Sequence, residues 1–304
     1  MRASISSIIR GKDDAIELVL TALLARGHVL VEDVPGVGKT TLAHTLARSI
    51  NCGFNRVQFT SDLLPSDVVG ISIYNQVANA FEFKPGPIFT NVLLADEINR
   101  TTPKTQSALL EAMNEEQVTV DNRTYRLPQP FVVIATQNPI EHHGTYPLPE
   151  SQLDRFLLRI RMGYPAEESE REIIRQLATT RKVESIEAVV TGEEISALQE
   201  RVKQVRMDDS LLNYLVAVAA KTRANEFLTL GVSPRGSMAL FRGAQARAAL
   251  HNRDYVTPDD VKSLVIPVFS HRVMVSSRYA STSKKSMQAD QILRDILDTV
   301  PVPL

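Results

Sequence analysis

The chain has 304 residues, 43% hydrophobic and 23% charged, with 13 glycines, 16 prolines and one cysteine; this excludes disordered, collagenous and disulfide-stapled classes and leaves room for about two domains, each with its own core. Thirty-four Lys and Arg against 35 Asp and Glu give a formal charge of −1, and a division near Gly163 leaves 15 against 17 before it and 19 against 18 after it. Neither half has the bulk basicity of a dedicated nucleic-acid binder, and no apolar stretch reaches the ~18–20 residues that span a bilayer, so a cytoplasmic location is the expectation.

Taken in chain order, residues 13–27 place apolar side chains at helical spacing and stop at Gly27, after which HVLVE is a strand-length apolar run. TLAHTLARSI reads as a helix, RVQFT as a strand, VLLA as a buried strand, PKTQSALLEAM as a helix from an N1 proline, and FVVIAT and FLLRI as further buried strands. Apolar strands alternating with helices predict a parallel sheet covered on both faces, an α/β domain over residues 1–163. Two stretches interrupt it. ISIY with FEF, and VTV with TYRL around Asp121-Asn122, read either as projecting hairpins or as extensions of the sheet.

From residue 164 to 304 the pattern is helical only, at 167–181, 193–205, 208–224, 234–251, 257–269 and 289–299. This predicts a smaller all-α domain. Ser233-Pro234 and Thr257-Pro258 each place a hydroxyl N-cap before an N1 proline. The stretch 276–286 reads as a polar loop, and Cys52, with no second cysteine to pair with, as a packed side chain.

Three motifs carry chemistry. Pro35-Gly36-Val37-Gly38-Lys39-Thr40-Thr41 lies between a strand and a helix, the order a phosphate-binding loop requires. Its glycines turn backbone N–H groups onto phosphate oxygens, Lys39 reaches the β- and γ-phosphates, and Thr40 offers a hydroxyl to Mg²⁺. Asp33 stands where the usual pattern has its first glycine. In the second motif, VLLADE, a buried strand ends in Asp96 and Glu97, 57 residues beyond Lys39; Asp96 can hold Mg²⁺ with Thr40, and Glu97 can orient or deprotonate the attacking water. Third, FVVIAT runs into Gln137-Asn138-Pro139, so Asn138 can hydrogen-bond a γ-phosphate or the lytic water. His142-His143 reads as surface loop rather than a metal site, since adjacent side chains diverge.

The run VEDVPGVGKT, PGPIFTNVLLADEINRTTPKTQSALLEAMNEEQVTV, ATQNPIEHHGTYPLPESQLDRFLL and GVSPRG resembles the MoxR family of AAA+ ATPases across essentially the entire chain. The resemblance implies a P-loop AAA+ core with two hairpin insertions, the helix-2 insert and the pre-sensor-1 hairpin, followed by an all-α lid. It also implies that Asp96 and Glu97 are the Walker B pair, Asn138 sensor 1, Arg155 the arginine finger and Arg235 the sensor 2 arginine. The resemblance further implies a ring-forming, hexameric ATPase that uses ATP and Mg²⁺ as a chaperone or remodeller in protein maturation or metal insertion, with a von Willebrand factor A domain partner and a protein substrate. Read from the residues alone, Arg155 is either a finger supplied in trans or half of a surface pair with Asp154, and Arg235 either a sensor or a solvated arginine. A nucleic-acid-stimulated motor and a non-catalytic nucleotide switch are the alternatives; the near-neutral charge of both halves argues against the first and Glu97 against the second. A small-molecule kinase would leave Asn138, Arg155 and Arg235 unexplained as a set.

Overall fold

The computed structural model describes residues 1–138, 144–178, 186–276 and 285–303. His142-His143, the end of the helix expected over 167–181 and most of the polar stretch 276–286 lie outside the described residues. The chain divides into two compact units, one of Met1–Leu20, His28–Leu148 and Ile160–Ala197, the other of Thr21–Gly27, Pro149–Arg159 and Leu198–Leu304.

Short helix α1 (Arg2–Ser6) and α2 (Asp13–Leu24) precede β1 (Val29–Glu32), α3 (Lys39–Ser49), β2 (Phe54–Gln58) and α4 (Pro65–Val69). The hairpin β3 (Gly70–Asn75) and β4 (Ala80–Pro85) follows, then β5 (Val92–Asp96), α5 (Pro103–Glu115), the hairpin β6 (Gln117–Val120) and β7 (Arg123–Arg126), and β8 (Val132–Gln137). The central sheet runs β2-β5-β8-β1-β9, with β9 at Leu158–Ile160, and its β1–β8, β8–β5 and β5–β2 pairs are all parallel. VLLAD in β5 is buried at all five positions, the pattern of a strand covered on both faces. In α3, Leu42, Ala43, Leu46 and Ala47 are fully buried and supply the apolar face that packs on β2 and β5.

Both expected hairpins form, and each is its own two-stranded antiparallel sheet rather than an extension of the central one. They meet where Phe83 of β4 stacks on Tyr125 of β7, with ring centroids 4.0 Å apart. The first hairpin leaves Ile71, Tyr74 and Phe81 exposed, and Val77 at its tip is 99% exposed.

Beyond β9 and its preceding turn of helix, α6 (Glu150–Leu153), the chain is helical through α7 (Glu167–Ala178), α8 (Gly192–Val202), α9 (Asp209–Arg223), α10 (Pro234–Leu250), α11 (Pro258–Phe269) and α12 (Lys285–Thr299). Both proline-marked starts are helix starts. Two strands that the helical pattern does not announce, β10 (Leu228–Leu230) and β11 (Met274–Val275), pair antiparallel as a small ribbon. At three and two residues they are too short for alternation to register. No helix among the described residues is long and apolar enough to cross a membrane.

His28, at the entry to β1, links three elements of the first unit: its Nδ1 accepts from Val133 N at 3.0 Å in β8, and its Nε2 donates to the Met113 carbonyl at 2.9 Å in α5. Burial pushes this imidazole down from 6.5 to about 4. An unfolded chain takes up a proton at His28 below pH 6.5 that the folded chain refuses until about pH 4, so stability is lost as pH falls through that window, by about 3 kcal/mol in all. Urea unfolding at pH 7 and pH 4.5 is expected to show a smaller acid loss in His28→Gln than in wild type; equal losses would remove His28 as a contributor.

Candidate functional site

The parallel register brings the three motifs to one edge of the sheet. Glu32 aligns with Gln137, Ala95 with Ala135 and Gln58 with Asp96, so the loop after β1, the acids ending β5 and Asn138 after β8 all emerge at the carboxyl ends of their strands. The direction of chain winding reverses beside β1, which is the place where open α/β sheets form their binding crevice.

Gly36 (φ 84°) and Gly38 (φ 92°) both lie in the left-handed region, and Gly38 is the N-cap of α3. A Cβ at Gly36 would meet nothing within 4 Å, so glycine serves the backbone conformation there, not space. The loop therefore presents its amides and the positive end of an eleven-residue helix to one point. Lys39 Nζ donates to the Asp33 carbonyl at 2.9 Å.

Asp33 is the residue that departs from the glycine pattern, and the structure gives it a different task. Its carboxylate is buried and accepts from Met162 N and Gly163 N, both at 2.6 Å, and from Val34 N at 2.9 Å. Asp33 thus staples the start of the phosphate loop to the segment after β9, with three backbone donors holding one charge.

Asp96 and Glu97 are held apart by a shared hydroxyl. Thr136 Oγ1 donates to Asp96 Oδ1 at 2.6 Å and accepts from Glu97 N at 2.9 Å. Glu97 has φ 57°, an unusual backbone for a non-glycine residue, which turns its side chain away from the line of β5. Strand β2 supplies the partners: Arg56 donates to Asp96 Oδ2 from Nη2 at 2.7 Å and Nε at 3.2 Å, and Gln58 Nε2 donates to Glu97 Oε2 at 2.6 Å. Arg100 Nε stands 3.2 Å from the same Glu97 oxygen.

A cavity of about 370 Å³ collects Lys39, Thr40, Thr41, Asp96, Glu97 and Asn138 together with Pro35, Gly36, Gly38, Arg56 and Gln58. Val37, expected with them, instead lines a second, half-open cavity of about 230 Å³ that shares Gly36, Gly38 and Thr41 and is lined further by Ile8, Ile9, Arg10, Lys12, Pro165 and Ile173. Its walls are mainly apolar. The donor set suits a hard cation: the Thr40 hydroxyl and the Asp96 carboxylate line one cavity and leave the remaining positions to water and phosphate, the coordination Mg²⁺ prefers. Arg56 holds Asp96 Oδ2 and Thr136 holds Oδ1, so an ion there would share a carboxylate oxygen with one of them.

Arg155 and Arg235 belong to the second unit. Arg155 follows Asp154 and has a buried Nε without a hydrogen-bond partner; Arg235 is exposed in the first turn of α10. The surface-pair reading gives Asp154 the wrong partner, since its carboxylate is taken by Arg272 and Ser233.

Residues 28–158 match the family model of the ATPase family associated with various cellular activities (AAA), and residues 220–296 match the AAA lid domain. The uncharacterized protein YeaC of Bacillus subtilis is 52% identical over 99% of this chain and 93% of its own length. Chaperone MoxR1 of Mycobacterium tuberculosis is 41% identical over 98% of this chain and 80% of its own. The crystal structure of a candidate ATPase from Cytophaga hutchinsonii superposes with a TM-score of 0.91 at 38% identity, covering 99% of this chain and 93% of that one.

Proposed function

The chain belongs to the MoxR family of AAA+ ATPases, and on that premise we propose that it hydrolyses Mg-ATP as a ring-forming, hexameric chaperone or remodeller. The observation that carries the reading is the convergence of Lys39, Thr40, Asp96, Glu97 and Asn138 on one cavity at the carboxyl edge of the sheet. The nucleotide-binding part expected over residues 1–163 extends to Ile173, which lines the second cavity, and the helices beyond it form the lid that responds to the nucleotide.

The triphosphate lies along the loop amides of residues 36–41, with Lys39 released from the Asp33 carbonyl to its β- and γ-oxygens. The cavity of Ile8, Ile9 and Ile173 takes the adenine ring. Thr40 and Asp96 would hold Mg²⁺, which when bound would supply charge neutralisation at the phosphates. Glu97 orients and deprotonates the attacking water through Oε1 while Gln58 holds Oε2. Asn138 hydrogen-bonds the γ-phosphate. Arg155 stabilises the transition state on the neighbouring subunit's phosphate, and Arg235 reports the γ-phosphate of its own subunit to the lid. Target proteins reach the ring through partners with a von Willebrand factor A domain, and the exposed hairpin of Ile71, Tyr74, Val77 and Phe81 offers a surface for such contacts.

Mixing two inactive variants tests the reading. Lys39→Ala spoils a subunit's own site and keeps its finger, whereas Arg155→Ala does the reverse. Each alone is expected to lose ATP turnover by about a thousandfold or more, and an equimolar mixture is expected to regain a measurable fraction of wild-type rate. A mixture as dead as its components would remove Arg155 from the neighbouring site. Salt-sensitive stimulation by DNA would favour a nucleic-acid motor instead.

A further inference from the structure

Arg272 is a buried guanidinium just past the end of α11: its side chain is 3% exposed, that of Asp154 18%. Its Nε donates to Asp154 Oδ1 at 2.6 Å, and its Nη atoms donate to the carbonyls of Asp154, Phe156 and Leu157 at 3.2, 2.5 and 3.2 Å and to that of Val268. The backbone on both sides of Arg155 is therefore gripped by one side chain. Separating that guanidinium from its carboxylate would strand a buried charge, so the grip is not readily released.

The second Asp154 oxygen points elsewhere. Oδ2 accepts from Ser233 Oγ at 3.0 Å, and Ser233 Oγ in turn accepts from Gly236 N at 3.2 Å as the N-cap of α10. Arg235 lies inside that capped turn. A Cβ on Gly236 would fall 2.5 Å from Val232 Cγ1 and 2.9 Å from Arg272 Cδ, so the turn is pressed directly against Arg272. Burial first, then the positive charges of Arg235 and Arg242, pull the Arg272 guanidinium down to about 10 against the opposing effect of Asp154. Every one of these residues lies in the second unit.

We propose that Asp154 is a positioning residue that ties the segment bearing Arg155 to the first turn of α10, so that Arg155 and Arg235 shift as one body. The nucleotide state of a subunit's own site, felt at Arg235, then sets the placement of the arginine that the subunit offers to its neighbour. This rests on the roles proposed above for the two arginines.

The test uses the full chain with Cys52→Ser, with Glu97→Gln to stop hydrolysis, and with Ser151→Cys carrying an environment-sensitive dye. Ser151 is exposed in α6, three residues before Asp154. Mg-ATP is expected to shift the dye emission with the midpoint at which a fluorescent ATP analogue binds. Ser233→Asp keeps a cap acceptor for α10 but sets a carboxylate against Asp154; it is expected to bind the analogue with unchanged affinity and to lose the dye shift. Ser233→Ala, which removes the bridging hydroxyl without adding charge, is expected to lose it too, and Ser233→Thr, which restores the hydroxyl, to keep it. A full shift in analogue-binding Ser233→Asp or Ser233→Ala overturns the tie, as does the absence of any shift in the parent. Arg235→Ala separates the tie from the reading beneath it. If Arg235→Ala loses the shift and the Ser233 variants keep it, the sensor stands and the tie falls; if Arg235→Ala keeps it and the Ser233 variants lose it, the tie stands and Arg235 is not its input.

Discussion

Glu97→Gln is expected to lower ATP turnover by about a hundred- to ten-thousandfold while leaving nucleotide affinity unchanged. The substitution keeps the shape of the side chain and removes its ability to take a proton. The backbone that carries it is set by the left-handed conformation at residue 97 and the bond from Glu97 N to Thr136 Oγ1, neither of which depends on the carboxylate, and a glutamine oxygen can still accept from Gln58 and Arg100. The phosphate loop, Lys39 and Asp96 are likewise untouched, so binding persists when hydrolysis stops. Phosphate release at saturating Mg-ATP, set beside a titration with a fluorescent ATP analogue, separates the two. Loss of both together would mean that the cavity had been disturbed, not that a base had been removed. Unchanged turnover would take Glu97 out of the mechanism and leave a nucleotide switch as the better reading.

How much of this site was visible in the sequence follows from how local each feature is. Strand, glycine turn, Lys39, Thr40 and helix occupy consecutive positions, and Asp96 and Glu97 end a strand whose apolar run announces its burial. The two hairpins are legible for the same reason, since alternation and turn residues lie side by side. Arg56, Gln58 and Thr136 are different. Each is an ordinary polar residue within its own strand, and only the parallel register that sets Gln58 beside Asp96 and Ala135 beside Ala95 gives them a partner. Thr136 carried the one available signal, a hydroxyl in an otherwise apolar run and fully buried in the fold. Asp33 reads in sequence as a lapse from the glycine pattern, because the backbone donors that employ it come from Met162 and Gly163, far along the chain. The apolar cavity joining Ile8 and Ile9 to Ile173 is invisible for the same reason.

The second large effect is on stability and lies in the lid. Asp260 is fully buried and holds two guanidiniums: Arg253 donates to it from both Nη atoms at 2.6 and 2.7 Å, and Arg247 from Nη1 at 2.8 Å. It also accepts from Thr257 N at 2.8 Å and Thr257 Oγ1 at 2.9 Å, closing the start of α11. Burial opposes its charge, but the bonds from Arg253 and Thr257 outweigh that and hold the carboxyl below its ordinary range. Asp260→Ala removes the carboxylate that two part-buried arginines and a helix start share, a loss of about 3 kcal/mol or more. The expected readout is hydrogen exchange about a hundredfold faster at the amides of α10 and α11, with the amides of β5 and β8 unaffected; wild-type exchange throughout would mean that the network contributes nothing. The consequence reaches further than the lid's own stability. Asp260 locks the end of α10, at Arg247, to the start of α11, while the opposite ends of the same two helices carry Arg235 and lead into Arg272. A lid softened at Asp260 would let those far ends slip past each other, and the grip on the Arg155 segment depends on their staying in register.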